Sequence, residues 1–137
     1  MSFGDTSRGF SEWSLGDQEV QPFFGQAIEL GITFWDTANV DGIGNSEEIV
    51  GRALKKYASR DDSVLATKVN FPMHQGPSGS GLSRTAIMER IDASLSRLDT
   101  DYVDLYQIHR LDQFWKLDVA EFRPYDLASP RYNTGRP

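Results

Sequence analysis

Gly31-Ile32-Thr33-Phe34-Trp35-Asp36-Thr37-Ala38-Asn39-Val40-Asp41-Gly42-Ile43-Gly44-Asn45-Ser46-Glu47-Glu48 is the stretch on which the reading of this chain turns. A glycine stop precedes a short apolar run that ends in Asp36. A turn-rich loop follows, and then the polar start of an amphipathic segment. Helix end, buried strand, loop and next helix is the sequence signature of a β/α unit with a carboxylate at the strand exit.

Upstream, Val20, Phe23, Phe24, Ala27, Ile28 and Leu30 recur at helical spacing, so a helix is expected from about Asp17 to Leu30, with Gly31 as its left-handed stop. Pro22 removes a backbone donor, which predicts either a late start near Gln21 or a distorted first turn. Residues Met1 to Leu15 show no periodicity and read as a loop, with at most a stub of strand at Met1 to Gly4. Downstream, Asn45 with Glu48 three residues on resembles a capping box, and Ile49, Ala53, Leu54 and Tyr57 build one apolar face. Ser63 to Val69 reads as a second buried strand, and Phe71 to Gly81, rich in Pro and Gly, as a long mobile loop. Ser83 caps a third helix with Ile87, Ile91, Leu95 and Leu98 on its stripe, and Tyr102 to His109 is a third strand.

Alternating helices and strands with short connections predict a parallel sheet covered by helices. A doubly wound dinucleotide fold calls for G-x-G-x-x-G between strand and helix, and neither Gly42-Ile43-Gly44 nor Gly76-Pro77-Ser78-Gly79-Ser80-Gly81 has that spacing. The second run reads as a flexible lid or surface loop. An α/β fold of the (β/α)8, triosephosphate isomerase type is favoured instead, because Asp36, Lys68 and His109 each fall at the C-terminal end of a separate strand.

Composition narrows the function classes. The 137 residues suit one domain, and a formal net charge of −6 argues against nucleic acid as a partner. No apolar run approaches the ~20 residues of a membrane span, and the start resembles no signal peptide, so a cytoplasmic location is the default expectation. With no cysteine, disulfides, thiolate metal sites and a cysteine nucleophile are excluded together.

The segments Gly-Ile-x-Phe-x-Asp-Thr-Ala, Gly-x-Gly-x-Ser-Glu-Glu, Ala-Thr-Lys-Val and Asp-Tyr-Val-Asp-Leu-Tyr-Gln-Ile-His-Arg, in this order over about Met1 to Arg110, resemble the aldo-keto reductase superfamily. Within it, the aryl-alcohol-dehydrogenase-like and potassium-channel β-subunit-like branch is the most similar type. The resemblance implies NADPH-dependent reduction of a small aldehyde or ketone on a (β/α)8 barrel, by a tetrad of Asp, Tyr, Lys and His. Three of these fall on Asp36, Lys68 and His109, with Asp36 also near the cofactor and His109 orienting the substrate carbonyl. Carbonyl reduction needs a proton donor beside the oxygen. In the family a tyrosine, with an ordinary pKa of about 10, is made a better donor by the lysine cation. Taken singly, Asp36 reads as a turn-capping carboxylate, Lys68 as a solvated charge and His109 as a core histidine; it is their joint occurrence with the flanking motifs that carries the functional reading.

Two departures stand out. Asp41 occupies the position of the family tyrosine, and an ionised aspartate accepts hydrogen bonds where a donor is required. Tyr106 has the opposite parity to His109, and Tyr57 lies on the apolar side of a helix, so neither replaces it. Secondly, a complete barrel takes roughly 250 residues. The expectation is therefore about the first half of a barrel over residues 1–110, and an irregular, poorly ordered tail over 111–137. Such a half-barrel leaves an unpaired edge and an open sheet face, which predicts a homo-oligomer or a partner completing the barrel. A non-catalytic interaction or regulatory module, or a gene remnant, is the alternative to an impaired reductase. A weaker alternative groups Asp36, Asp41 and His109 around a divalent metal, although no metal is the favoured expectation. His74 reads as exposed, Trp35 as packed against the helices, and Trp13 as pocket lining or packing.

Overall fold

The structure, a computed structural model, describes residues 3–5 and 12–111. Helix α1 (Asp17–Glu29), strand β1 (Phe34–Asp36), helix α2 (Asn45–Tyr57), a 3-10 turn (Arg60–Asp62), strand β2 (Val64–Val69), helix α3 (Arg84–Leu98) and strand β3 (Leu105–Ile108) follow in that order. The strands form a parallel sheet of order β1-β2-β3, with Asp36 level with Ala66, Ala66 with Leu105 and Lys68 with Gln107. A parallel sheet with helices packed on one face is the expected partial barrel of α/β type.

Local signals account for most element boundaries. Gly31, at φ 76°, ends α1 in a double closure: its N–H bonds the carbonyl of Ile28, and that of Ile32 bonds Ala27. Because Ile32 is committed to that closure, β1 begins only at Phe34, two residues later than the apolar run suggested. At the other end of α1, Glu19 accepts a hydrogen bond from the Gly16 N–H at 2.9 Å, and the helix runs regularly through Pro22. Ser83 caps α3 as expected, its hydroxyl accepting from Ala86 N–H at 3.2 Å. The capping box expected at Asn45 does not form. Gly44, at φ 87°, is the N-cap of α2, while Asn45 lies inside the helix, accepts from Asp5 N–H at 2.7 Å and donates to Glu48 at 3.0 Å. Strand β3 is shorter than Tyr102 to His109, because the Asp104 carboxylate takes the Leu65 N–H at 2.8 Å and pairs with Arg60 at 2.7 Å, replacing the first ladder contact.

The core lies between the helices and one face of the sheet. Val20 and Phe24 from α1, Trp35 from β1, Ile49, Val50, Ala53 and Leu54 from α2, Leu65 from β2 and Leu98 from α3 form one buried cluster. Trp35 stacks on Phe24 with ring centroids 5.3 Å apart, as its alternation with Asp36 predicts. Gly51 lets α2 approach α3 closely, since a β-carbon there would stand 2.3 Å from the Leu98 carbonyl oxygen. The opposite sheet face is bare, and Phe34, Val64 and Leu105 are exposed on it. Among the described residues no helix is long and apolar enough to cross a membrane.

The loop between β2 and α3, expected as a flexible lid or surface loop, carries hydrogen bonds of its own. Met73 N–H bonds the Gly79 carbonyl at 3.0 Å and Gly81 N–H bonds that of Asn70 at 2.7 Å, closing the loop on itself. Arg90, 3% exposed on α3, donates to the carbonyls of Phe71 and Ser78. The arginine that ties this loop to α3 lies nine residues beyond its end, so composition alone did not show the tie. Residues 112–137, which hold all but the first residue of the expected tail, lie outside the described residues.

Candidate active site

Asp36 and Lys68 meet at the C-terminal ends of neighbouring strands. Parallel pairing sets Lys68 one inward-facing step beyond the register partner of Asp36, and the lysine Nζ donates to Asp36 Oδ2 at 2.5 Å and to the Thr37 carbonyl at 2.8 Å. Gln107, level with Lys68 on β3, donates from Nε2 to the other oxygen of Asp36 at 3.2 Å. Both oxygens of the carboxylate are thus engaged by donors from two other strands. The aspartate side chain remains 43% exposed and the lysine 20%, on the uncovered face of the sheet.

His109 follows directly on β3 and is tied to β2 by its N–H, which bonds the Val69 carbonyl at 2.9 Å. Its ring meets the Phe71 ring edge-on, with centroids 4.9 Å apart, and its Nδ1 is buried without a hydrogen-bond partner. Burial holds the imidazole pKa below its ordinary value. Asp41 and Asp36 act against that shift, and Lys68 acts with it. The neutral ring is therefore favoured. Asp41 is buried in the loop after β1, its N–H bonded to the Ala38 carbonyl and its own carbonyl accepting from Ser46 N–H.

Sequence reasoning missed the residues that hold this loop. Glu47, fully buried, accepts from Thr67 Oγ1 at 2.5 Å and pairs with Arg97 Nε at 2.6 Å, while Thr37 and Ser46 share a hydrogen bond at 3.0 Å. Ser46 and Glu47 thereby pin the start of α2 to the residue after Asp36 and the residue before Lys68. The signal was present as Ser-Glu-Glu following Gly-x-Gly, but its meaning depends on Arg97, fifty residues away in sequence. Gln107 was legible only as a residue sharing the parity of His109.

Other candidates separate from the site. Trp13 is exposed, and Tyr106 turns to the helix side, where its hydroxyl donates to the Ile87 carbonyl at 3.3 Å. His74 is exposed near Glu89. Among the described residues no group of three or more His, Asp or Glu is arranged to hold a metal ion, so the grouping of Asp36, Asp41 and His109 has no geometry to rest on.

Among the described residues, groups that fit a dinucleotide occur at one end of the site only. Asp36, Lys68 and Gln107 form an open, polar donor and acceptor set suited to hydroxyl and carboxamide groups. No phosphate cradle accompanies them among the described residues. The Gly42 to Gly44 turn packs against the protein itself, with a β-carbon at Gly42 meeting Gly4 Cα at 3.3 Å and one at Gly44 meeting the Arg97 side chain at 2.6 Å.

The sequence profile of the "Aldo/keto reductase family" matches residues 1–123, which extends past Arg110. The chain is 47% identical over 110 residues to the aldo-keto reductase YhdN of Bacillus subtilis, covering 80% of this chain and 33% of that protein. It is 42% identical over 131 residues to a versiconal hemiacetal acetate reductase of Aspergillus parasiticus, covering 82% and 37%. Among solved structures, the holo form of aldo-keto reductase AKR11C1 from Bacillus halodurans superposes with a TM-score of 0.59 at 38% identity, over 79% of this chain and 35% of that one. The chain spans about a third of the length of these relatives. With a profile match over most of its length and the Asp36–Lys68 pair at the expected strand ends, this chain belongs to the aldo/keto reductase family.

Proposed function

We propose that this chain carries the aspartate, lysine and histidine of an NADPH-dependent carbonyl reductase site, and that its unaided turnover is slow. The observation that carries the reading is the Lys68–Asp36 pair, held by a third strand through Gln107. Bound NADPH supplies the hydride. Asp36 holds the Lys68 ammonium in place, and that cation lies where it favours developing negative charge on a carbonyl oxygen. His109, neutral and fixed between Val69 and Phe71, presents a ring nitrogen to orient the same oxygen. What the set lacks is a hydroxyl donor, because the family's tyrosine position is Asp41. General acid catalysis contributes about a hundredfold or more in rate. Replacing Asp41→Tyr should therefore raise NADPH consumption with an aromatic aldehyde by about a hundredfold. Equal, background-level consumption by parent and variant would overturn the catalytic reading.

The same Asp41 favours a second reading, a non-catalytic relative that serves as an interaction or regulatory module. Exposed Phe34, Val64 and Leu105 support it, since parallel sheets are ordinarily covered on both faces. On either reading a second copy or a partner of barrel type covers the open face. Sedimentation of a monodisperse monomer would count against that cover.

A further inference from the structure

Phe71 and Arg90 have no part in the site as built from Asp36, Lys68 and His109, yet both bear on it. The segments leaving β2 and β3 are laced together. His109 N–H bonds the Val69 carbonyl at 2.9 Å, and the Asn70 amide donates to the Arg110 carbonyl at 2.7 Å. The Arg110 guanidinium lies over the Phe71 ring at 5.6 Å, and that ring meets the His109 ring at 4.9 Å and 79°. Among the described residues the shielded Nδ1 of His109 has no hydrogen-bond partner. Packing against Phe71 therefore bears directly on the rotation of the ring.

Phe71 is itself held from the far side. Arg90 Nη1 donates to the Phe71 carbonyl at 2.7 Å, while Nε and Nη2 donate to the Ser78 carbonyl at 3.2 and 3.1 Å. One planar guanidinium thus grips both ends of the loop from within α3. Lysine has no such fork: a single ammonium cannot reproduce this two-carbonyl geometry. Arginines that are almost fully buried are uncommon unless their donors are satisfied, and here two carbonyls of one loop satisfy them.

We infer that Phe71 and Arg90 are positioning residues for His109: Arg90 fixes the loop after β2, and the loop's Phe71 fixes the imidazole. Their bearing on turnover rests on the role proposed for His109, but their action on the ring does not. The side-chain charges acting on that imidazole are Asp41 and Asp36, which favour its protonation, and Lys68, which opposes it; Arg110 lies over the Phe71 ring.

The test is an NMR titration of His109 in the full chain without cofactor or substrate, so it stands apart from any failure of catalysis. Only two histidines are present, and His74→Gln assigns the pair. Phe71→Leu and Arg90→Lys should each raise the His109 midpoint toward its ordinary value, as shielding is lost. Their double variant should move it no further than the larger single effect, because both act through one contact. Phe71→Tyr, which keeps the ring, should retain the parent midpoint. An unchanged midpoint in Phe71→Leu, or additive shifts in the double variant, would overturn the inference. So would loss of cooperative unfolding in Phe71→Leu, which would make Phe71 a core residue. Should Arg90→Lys fail to fold, Phe71→Leu and Phe71→Tyr decide the matter.

Discussion

The two faces of the sheet are built from the same strands by alternation, yet they meet different surroundings. Trp35 and Leu65 point into the helices and are buried, while their neighbours Phe34 and Val64 are exposed on the other side. On the covered face, stability comes from apolar burial. On the open face, the Asp36, Lys68 and Gln107 contacts span three strands with little apolar cover around them. Asp36 stays 43% exposed there and its pairing compensates the more buried Lys68, so the carboxylate stays accessible.

The largest contrast should appear when each face loses one aromatic. Trp35→Ala removes a stacked, buried ring and should destabilise the chain by about 3–5 kcal/mol, measured by urea unfolding. Phe34→Ser, one residue away, should change the stability of the single, uncovered chain by no more than about 0.5 kcal/mol. Comparable losses would erase the distinction between the faces. Next in size is Gly51→Ala, which drives a methyl group into the Leu98 carbonyl and should cost about 3 kcal/mol by forcing α2 away from α3. A variant as stable as the parent would show that this approach is not a constraint.

A smaller effect concerns pH. Because burial lowers the His109 pKa in the folded chain, the unfolded chain binds the proton more readily between the two values. Its contribution to stability is complete above about pH 6.5 and is lost as pH falls through that window toward the folded value. Stability of the parent should accordingly fall more between neutral pH and about pH 5.5 than that of His109→Gln, in paired urea titrations. Parallel curves would contradict the burial of the ring.

Much of this was legible before any coordinates. Gly31 and Ser83 act through contacts made within a few residues, so their signals survive in sequence. Asp36, Lys68 and His109 were expected at the ends of three strands from the order of their motifs. What was not legible depends on partners far along the chain. Arg90 binds two carbonyls of the loop after β2, Arg97 and Thr67 give Glu47 its place, and the Asp104 carboxylate shortens β3. At Asn45 a local signal misled, because Gly44 in a left-handed conformation took the cap and freed the asparagine to bind Asp5.

The most direct test of the central claim is thermal unfolding of the chain with and without saturating NADPH, for the parent and for Lys68→Met. A ligand that binds only the folded state raises the midpoint. The account predicts one cooperative transition in the parent, shifted upward by NADPH, and a shift abolished in Lys68→Met. Identical midpoints with and without NADPH in the parent would contradict it.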